Sequence, residues 1–243
     1  MTSLIEALAW DTEFFGFPIG RVAADSHDLR AAAVEADSSG YRCTYLLVEA
    51  AEGARLVAAQ HAGFVVVGTR AELAAELSDT PIAADDNADT RVADRASDET
   101  WMRALARSRF GLSRFGVDPR FGPDSAARLF EAWVDRGWDG PERHVIALDD
   151  AGGFVICALD SETREGVIDL IATAPDVKGG GAALVASSHR WFHDQRVRTA
   201  SVVTQGDNIA ALRLYERAGY RMRSHAYWLH RWTQSSVAEV PPR

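Results

Sequence analysis

The stretch "IDLIATAPDVKGGGAALVASSHRWF" (168–192) constrains the fold of this chain more than any other. An apolar run that reads as a strand (167–173) meets Pro175. Lys178, Gly179, Gly180, Gly181, Ala182 and Ala183 then open a long helix, expected over about 181–195. A strand must therefore pass to a helix through a loop with bare backbone amides. Successive glycines let N–H groups turn inward around an anion, and the helix N-terminus adds its partial positive charge. Lys178 supplies a full charge, while Ala182 and Ala183 keep the first turn small. The other reading of a glycine triplet is a plain loop. No GK[ST] follows, so this is not a Walker loop, and GxGxxG is absent.

A second segment, "QGDNIAALRLYERAGY" (205–220), follows one strand later. A turn leads into a helix (208–218) bearing Asn208, Ala211 and Tyr215, and Gly219 closes it. Tyr215 reads either as core filler or as a proton donor. Asn208 reads as a helix cap or as a ligand-orienting amide.

The same pattern occurs earlier. "TYLLVEAAEGARLVAAQHAGF" (44–64) aligns without a gap on "ASVVTQGDNIAALRLYERAGY" (200–220). Ala54 falls on Ala210, Leu56 on Leu212, and Ala62-Gly63 on Ala218-Gly219; Tyr215 faces Ala59, and Asn208 faces Glu52. The acidic, proline-containing stretch 78–90 reads as a linker. Two domains follow: 1–80, a partial copy of the scaffold without its chemistry, and 88–233, the functional one.

The rest of the C-terminal part predicts a strand at 90–95 and a helix over 97–109 capped by Ser97. A loop follows at 111–122, then an amphipathic helix at 125–137 and strands at 143–148, 152–159 and 166–173. A strand at 197–204 and a last one at 226–232 complete it. Strands alternating with helices make the class mixed α/β. The last strand, "AYWL", completes the sheet or pairs with a second subunit; a homodimer is the preferred expectation.

Composition narrows the function. The chain has 243 residues and a net charge of −9, which argues against nucleic acid as a partner, since phosphate backbones need a basic footprint. No apolar run approaches a bilayer span, and "MTSLIEALAW" has no signal-peptide pattern, so neither membrane nor export is expected. Cys43 and Cys157 each sit in an apolar run; one disulfide is conceivable, but two buried thiols in a reducing cytoplasm fit better. His189 and His193 stand four apart with no carboxylate motif beside them, so no metal is expected.

The two segments together resemble the GCN5-related N-acetyltransferases, whose acyl-CoA site is a strand, [Q/R]xxGx[G/A] opening a helix, a further strand, then NxxAxxxYxxxGF. Here Lys178 stands at the Gln/Arg position, Gly181 and Ala183 at the small positions, and Asn208, Ala211, Tyr215 and Gly219 in the second motif. The resemblance implies a mixed, mostly antiparallel sheet flanked by helices, with acetyl-CoA as cosubstrate. "LAWDTEFFGFPIGRV" (8–22), "SRFGVDPRF" (113–121) and "SHAYWLHRW" are similar to a narrower group, the TDP-fucosamine acetyltransferases. That implies a dTDP-4-amino-4,6-dideoxyhexose as the acceptor amine. The wider resemblance leaves room for another amine or a non-catalytic acyl-CoA-binding module.

The implied chemistry is direct attack of a neutral amine on the thioester. The backbone N–H groups of Ile171 and Ala172 are the expected oxyanion donors, and the strand through Thr173 pairs with pantetheine. Tyr215 is the expected general acid towards the leaving thiolate. His144, Asp169, Glu165 or a water chain would take the amine proton. Arg109, Arg114 and Arg120 are candidates for the nucleotide phosphates. Phe15, with Phe14 and Phe17, would stack the base or pack a domain seam.

Overall fold

The computed structural model describes residues 3–77, 90–109 and 113–233. The expected linker therefore lies outside the described residues, except for Thr90. Two compact units emerge, and they are not two contiguous halves. The first takes the chain through Arg70, then Val117–Pro123, then the chain from His225 onward. The second takes Ala71–Gly116 and Asp124–Ser224. Among the described residues no helix is long and apolar enough to cross a membrane.

The first unit contains strands β1 (Ile5–Ala7), β2 (Ile19–Val22) and β3 (Cys43–Glu49), and helices α1 (Ala9–Phe15), α2 (Leu29–Ser38) and α3 (Gly53–His61). Two long strands belong to both units: β4 (Val65–Glu76) begins in the first, and β10 (Arg221–Trp232) ends there. Strand order in this unit is β1-β2-β3-β10. Asp28 caps α2 by accepting from the N–H groups of Arg30 and Ala31, which fixes where the helix starts. Leu29, Ala32 and Ala36 then face a core made with Leu46, Val48, Phe64 and Leu229. The antiparallel register of β10 with β3 runs from Ala226 opposite Glu49 to Trp232 opposite Cys43. The "AYWL" strand thus completes the sheet against β3, the first of its two expected roles.

The second unit contains β5 (Thr90–Val92), α4 (Arg95–Arg109), α5 (Arg114–Val117, whose last residue falls in the first unit) and α6 (Ser125–Arg136). It continues with β6 (Arg143–Leu148), β7 (Gly153–Leu159), β8 (Gly166–Thr173), α7 (Gly180–Asp194), β9 (Thr199–Thr204) and α8 (Ile209–Arg217). Strand order is β4-β9-β8-β7-β6-β5. One sheet face packs under α4 and α6 through Met102, Phe130, Val134, Phe154 and Leu170. The other packs under α7 and α8 through Leu184, Val185, Phe192, Val202 and Tyr215. The expected strand at 90–95 stops at Val92, because Arg95 already starts α4. Ser97 is not the cap: it lies inside α4, and its N–H donates to Asp94 Oδ2 at 3.1 Å. The expected loop is partly ordered as α5 and a 3-10 turn at Pro119–Phe121.

The sequence repeat reappears bond by bond. Leu56 donates to Glu52 and Leu212 to Asn208, each at 3.0 Å. The Phe64 N–H reaches Ala59 at 3.0 Å, and the Tyr220 N–H reaches Tyr215 at 2.9 Å. Gly63 and Gly219 close the helices at φ +87° and +92°, the left-handed region that glycine enters at little cost. Ala59 and Tyr215, at equivalent places, are both buried.

Candidate active site

β8 is paired on one side and half-open on the other. Its antiparallel register with β7 runs from Thr173 opposite Gly153 to Gly166 opposite Leu159. The partners step from Ile156–Leu170 to Cys157–Ile168, so Asp169 is the extra residue of a bulge. Its parallel pairing with β9 covers only Gly166–Ala200 to Ile168–Val202. Both strands continue, to Thr173 and Thr204, so they part beyond Ile168 and Val202.

The ladder tells which amides border that opening. The Ala174 N–H donates to the Gly152 carbonyl at 2.9 Å, so these opposed residues form a bonded pair. Bonded pairs recur every second residue in an antiparallel ladder, so Ala172 also spends its N–H and C=O on β7. Ile171 and Thr173 turn theirs the other way, along the edge that β9 has left. Of the two expected oxyanion donors only Ile171 faces the opening. Ala172 is turned to β7, and its methyl is buried in the α4–α6 core.

The glycine loop lies beyond the C-terminal end of this strand. Gly179 caps α7 with φ +77°, and its carbonyl accepts from the N–H groups of Ala182 and Ala183 at 3.0 and 3.1 Å. Intrahelical bonding starts there, so Gly180 and Gly181 contribute the first-turn amides that an α-helix leaves without an internal acceptor. The glycines have separate reasons. A Cβ on Gly179 would meet open space, and only its φ demands glycine. A Cβ on Gly180 would come within 2.6 Å of Val177 Cγ1 and 2.7 Å of Leu148 Cδ1. One on Gly181 would come within 3.1 Å of Leu214 Cδ2 on α8. Lys178 and Ala182 are exposed, and Ala183 is half-buried.

Asn208 does cap α8, its Oδ1 accepting from the Ala211 N–H at 3.2 Å. Its Nδ2 donates to Thr204 Oγ1 at 3.3 Å and ties the helix to the end of β9. Ala211 is half-buried one turn on. Tyr215 is only 2% exposed and lies among Ile168, Leu184 and Val202. Burial pushes its phenol well above the ordinary range, so the ring keeps its proton at any working pH.

Two of the three candidate bases are tied up. Asp169 takes Arg143 Nη1 at 2.7 Å. Glu165 takes both terminal nitrogens of Arg223, at 2.9 and 3.1 Å. His144 stacks on Trp191, 5.0 Å between ring centres, and burial lowers its proton affinity. Glu72, a residue the sequence reading missed, shares Arg223 at 3.4 Å. Alternation along β4 places Glu72 on the sheet face opposite Leu73, level with Val203 just past the parting of β8 and β9.

The expected substrate residues divide between units. Arg109 ends α4 and is exposed. Arg114 lays its guanidinium over the Phe115 ring at 4.3 Å. In the first unit Arg120 is held by Asp118, Nε to Oδ1 at 2.8 Å and Nη2 to Oδ2 at 3.2 Å. It also lies over the Trp232 ring at 5.2 Å. The phosphate role expected of Arg120 thus competes with a buried carboxylate that already uses its fork. Phe15 meets Phe14 at 4.9 Å and Phe121 at 4.8 Å, both edge-on, which is the packing alternative.

Residues 106–220 match the model of the acetyltransferase (GNAT) family. The chain is 28% identical over 233 residues to a dTDP-fucosamine acetyltransferase of Escherichia coli O6:H1, covering 93% of this chain and 97% of that protein. It is 33% identical over 132 residues to the spore coat polysaccharide biosynthesis protein SpsD of Bacillus subtilis, covering 53% of this chain and 45% of that one. In fold it is similar to a GCN5-related N-acetyltransferase from Sphaerobacter thermophilus, with a TM-score of 0.67 at 14% identity over 94% of this chain and 76% of that one. Since the family match takes in both strands that part and both helices that border them, residues 106–220 form a GNAT-family segment, and the protein is an acyl-CoA-dependent acetyltransferase.

Proposed function

We propose that the protein moves an acetyl group from acetyl-CoA to the 4-amino group of a dTDP-4-amino-4,6-dideoxyhexose, by direct attack in a ternary complex. The observation that carries the reaction is the parting of β8 from β9 beyond Ile168 and Val202, which leaves a backbone edge unpaired beside a glycine-opened helix. The acceptor rests on the dTDP-fucosamine acetyltransferase that is similar over nearly the whole chain, and on a second relative named for polysaccharide biosynthesis. The dTDP-sugar and acetyl-CoA both belong to the cytoplasm. The N-terminal region, whose β3–α3 segment closes through the same hydrogen bonds as β9–α8, is a partial duplicate that kept the scaffold. The catalytic machinery lies in the second unit, Ala71–Gly116 and Asp124–Ser224.

Each group has a physical task. The Ile171 N–H receives the charge that develops on the thioester oxygen, and Thr173 extends the same edge to the pantetheine amides. The amides of Gly180 and Gly181, with Lys178 beside them, hold the diphosphate; exposed Ala182 and small Ala183 let it approach. Asn208 fixes the start of α8 and, with Ala211, borders the CoA arm. Tyr215 gives its proton to the departing sulfur. The amine proton leaves through water. Arg109 and Arg114 remain the cations for the nucleotide phosphates.

Release of free CoA from acetyl-CoA, measured with a dTDP-4-amino-4,6-dideoxyhexose, a polyamine and an aminoglycoside, tests the reading. The nucleotide sugar should be the preferred acceptor. Faster turnover of another amine would move the protein to a different acceptor class. Acetyl-CoA binding with no acceleration by any amine would make it a binding module. Tyr215→Phe should lower kcat by about 10²-fold.

A further inference from the structure

Lysine and arginine are outnumbered in this chain, 26 against 35 aspartates and glutamates. Several arginines of the second unit take a carboxylate: Arg95 takes Glu99, Arg103 takes Asp135 and Arg223 takes Glu165. Lys178, Arg213 and Arg217 do not. All three are exposed, and among the described residues none has a carboxylate within ion-pair distance. They also share one neighbourhood. A Cβ on Gly181 would come within 3.1 Å of Leu214 Cδ2, so the first turn of α7 abuts α8 at Leu214. Lys178 lies in the loop that opens α7. The buried face of α8 is Ala211, Leu212, Leu214, Tyr215 and Ala218. At about 100° per residue, Leu214 is one edge of that face, and Ala210 and Arg217 come next on its solvent side. Arg213 shares a stripe with Arg217, one turn away. Helical side chains lean towards the N-terminus, which carries Arg217 back to the level of Leu214. Glu216 lies round the other flank, beside Leu212.

Like charges one turn apart weaken a helix. Arg213 and Arg217 stand so, beside a loop whose free amides and Lys178 are already positive. An anion between them would offset that repulsion. We propose that Arg213 and Arg217 hold the 3′-phosphate of CoA, and that they make the protein distinguish CoA from its dephosphorylated form. The inference rests on the reading that the Gly180 and Gly181 amides hold the CoA diphosphate. The 3′-phosphate hangs from the ribose that bears that diphosphate, one sugar away, and carries about two negative charges at pH 7. A diphosphate at the first turn of α7 places it within reach of the flank of α8. Arginine forks match phosphate oxygens, and small, exposed Ala182 and Ala210 leave the approach open.

Calorimetric titration of the whole chain with CoA and with 3′-dephospho-CoA is the test. Wild type should bind CoA about tenfold more tightly, the affinity equivalent of one charge-assisted hydrogen bond. The double variant Arg213→Ala/Arg217→Ala should bind both ligands equally, at the affinity wild type has for dephospho-CoA, and its melting temperature should not fall. Arg136→Ala removes an exposed cation at the end of α6 and should keep the tenfold ratio. Loss of the ratio there would reduce the effect to net charge and overturn the assignment. Equal wild-type affinities, or a ratio that survives in the double variant, would overturn this inference and leave the diphosphate at the glycine loop. Unchanged CoA affinity in a folded Gly181→Val would remove the diphosphate and this inference with it.

Discussion

Asp118 and His230 face each other at 2.9 Å, Oδ2 to Nδ1, with both side chains fully buried. The carboxylate also accepts from Trp232 Nε1 at 2.9 Å, from the Arg120 guanidinium, and from the Arg120 backbone N–H at 3.3 Å. Desolvation alone would raise its pKa, but the donors from His230, Arg120 and Trp232 win and hold it well below the usual carboxylate range. This cluster pins Val117–Pro123 to β10 within the first unit.

Asp118→Asn should therefore cost about 3 kcal/mol at pH 7, the usual loss when one partner of a buried ionic cluster is removed. The pH dependence has a definite sign. A carboxylate whose folded pKa is depressed contributes stability above its unfolded pKa of about 4, and that contribution drains away as pH falls below it. The gap between wild type and variant in urea unfolding should narrow from pH 4 to pH 2. A gap that stayed constant would show that Asp118 acts through shape and not charge.

The glycines of the α7 loop should separate by consequence. Gly179→Ala meets no atom but must hold φ +77°, a cost of about 1 kcal/mol in stability. Gly180→Ala forces its methyl against the tips of Val177 and Leu148, and buried overpacking costs about 1–3 kcal/mol. Gly181→Val directs its bulk towards Leu214, across the front of the first turn. CoA affinity should fall by more than about tenfold in that variant while its melting temperature changes least. Calorimetric titration with CoA beside thermal unfolding of all three variants reads this out. Unchanged CoA affinity in a folded Gly181→Val would remove the diphosphate from this loop.

Much of this was legible in the residues. The gapless alignment of 44–64 on 200–220 predicted a repeat whose helices close through the same hydrogen bonds, because strand, turn, helix and glycine are local features. Unit boundaries were not legible: 117–123 leaves its sequence neighbours because Asp118 is bound to His230, 112 residues away. The amide proposed as the oxyanion donor was half legible. Nothing in "VIDLIATA" marks the bulge at Asp169, which shifts parity along β8 and leaves Ile171, not Ala172, on the open edge. Glu72 was hidden for a similar reason. In "RAELAAEL" it looks like one more surface charge until Arg223 ties it to Glu165.

His189 gives the fold a second acid sensitivity, separate from that of Asp118. Among the described residues only its Nε2 has a hydrogen-bond partner, and burial lowers its pKa from 6.5 to about 4. A histidine whose folded pKa is depressed contributes stability in full above its unfolded pKa. The contribution falls as pH drops from about 6.5 through about 4, as the unfolded chain takes up the proton that the native core refuses. Wild-type stability should therefore decline over that window with the slope of one proton. His189→Gln, which has no titrating group, should flatten the slope there while keeping the lower-pH decline assigned to Asp118. Urea midpoints at pH 7, 5.5 and 4 for both proteins measure it. Parallel curves for the two proteins would mean that His189 is protonated within the native core, contrary to its burial.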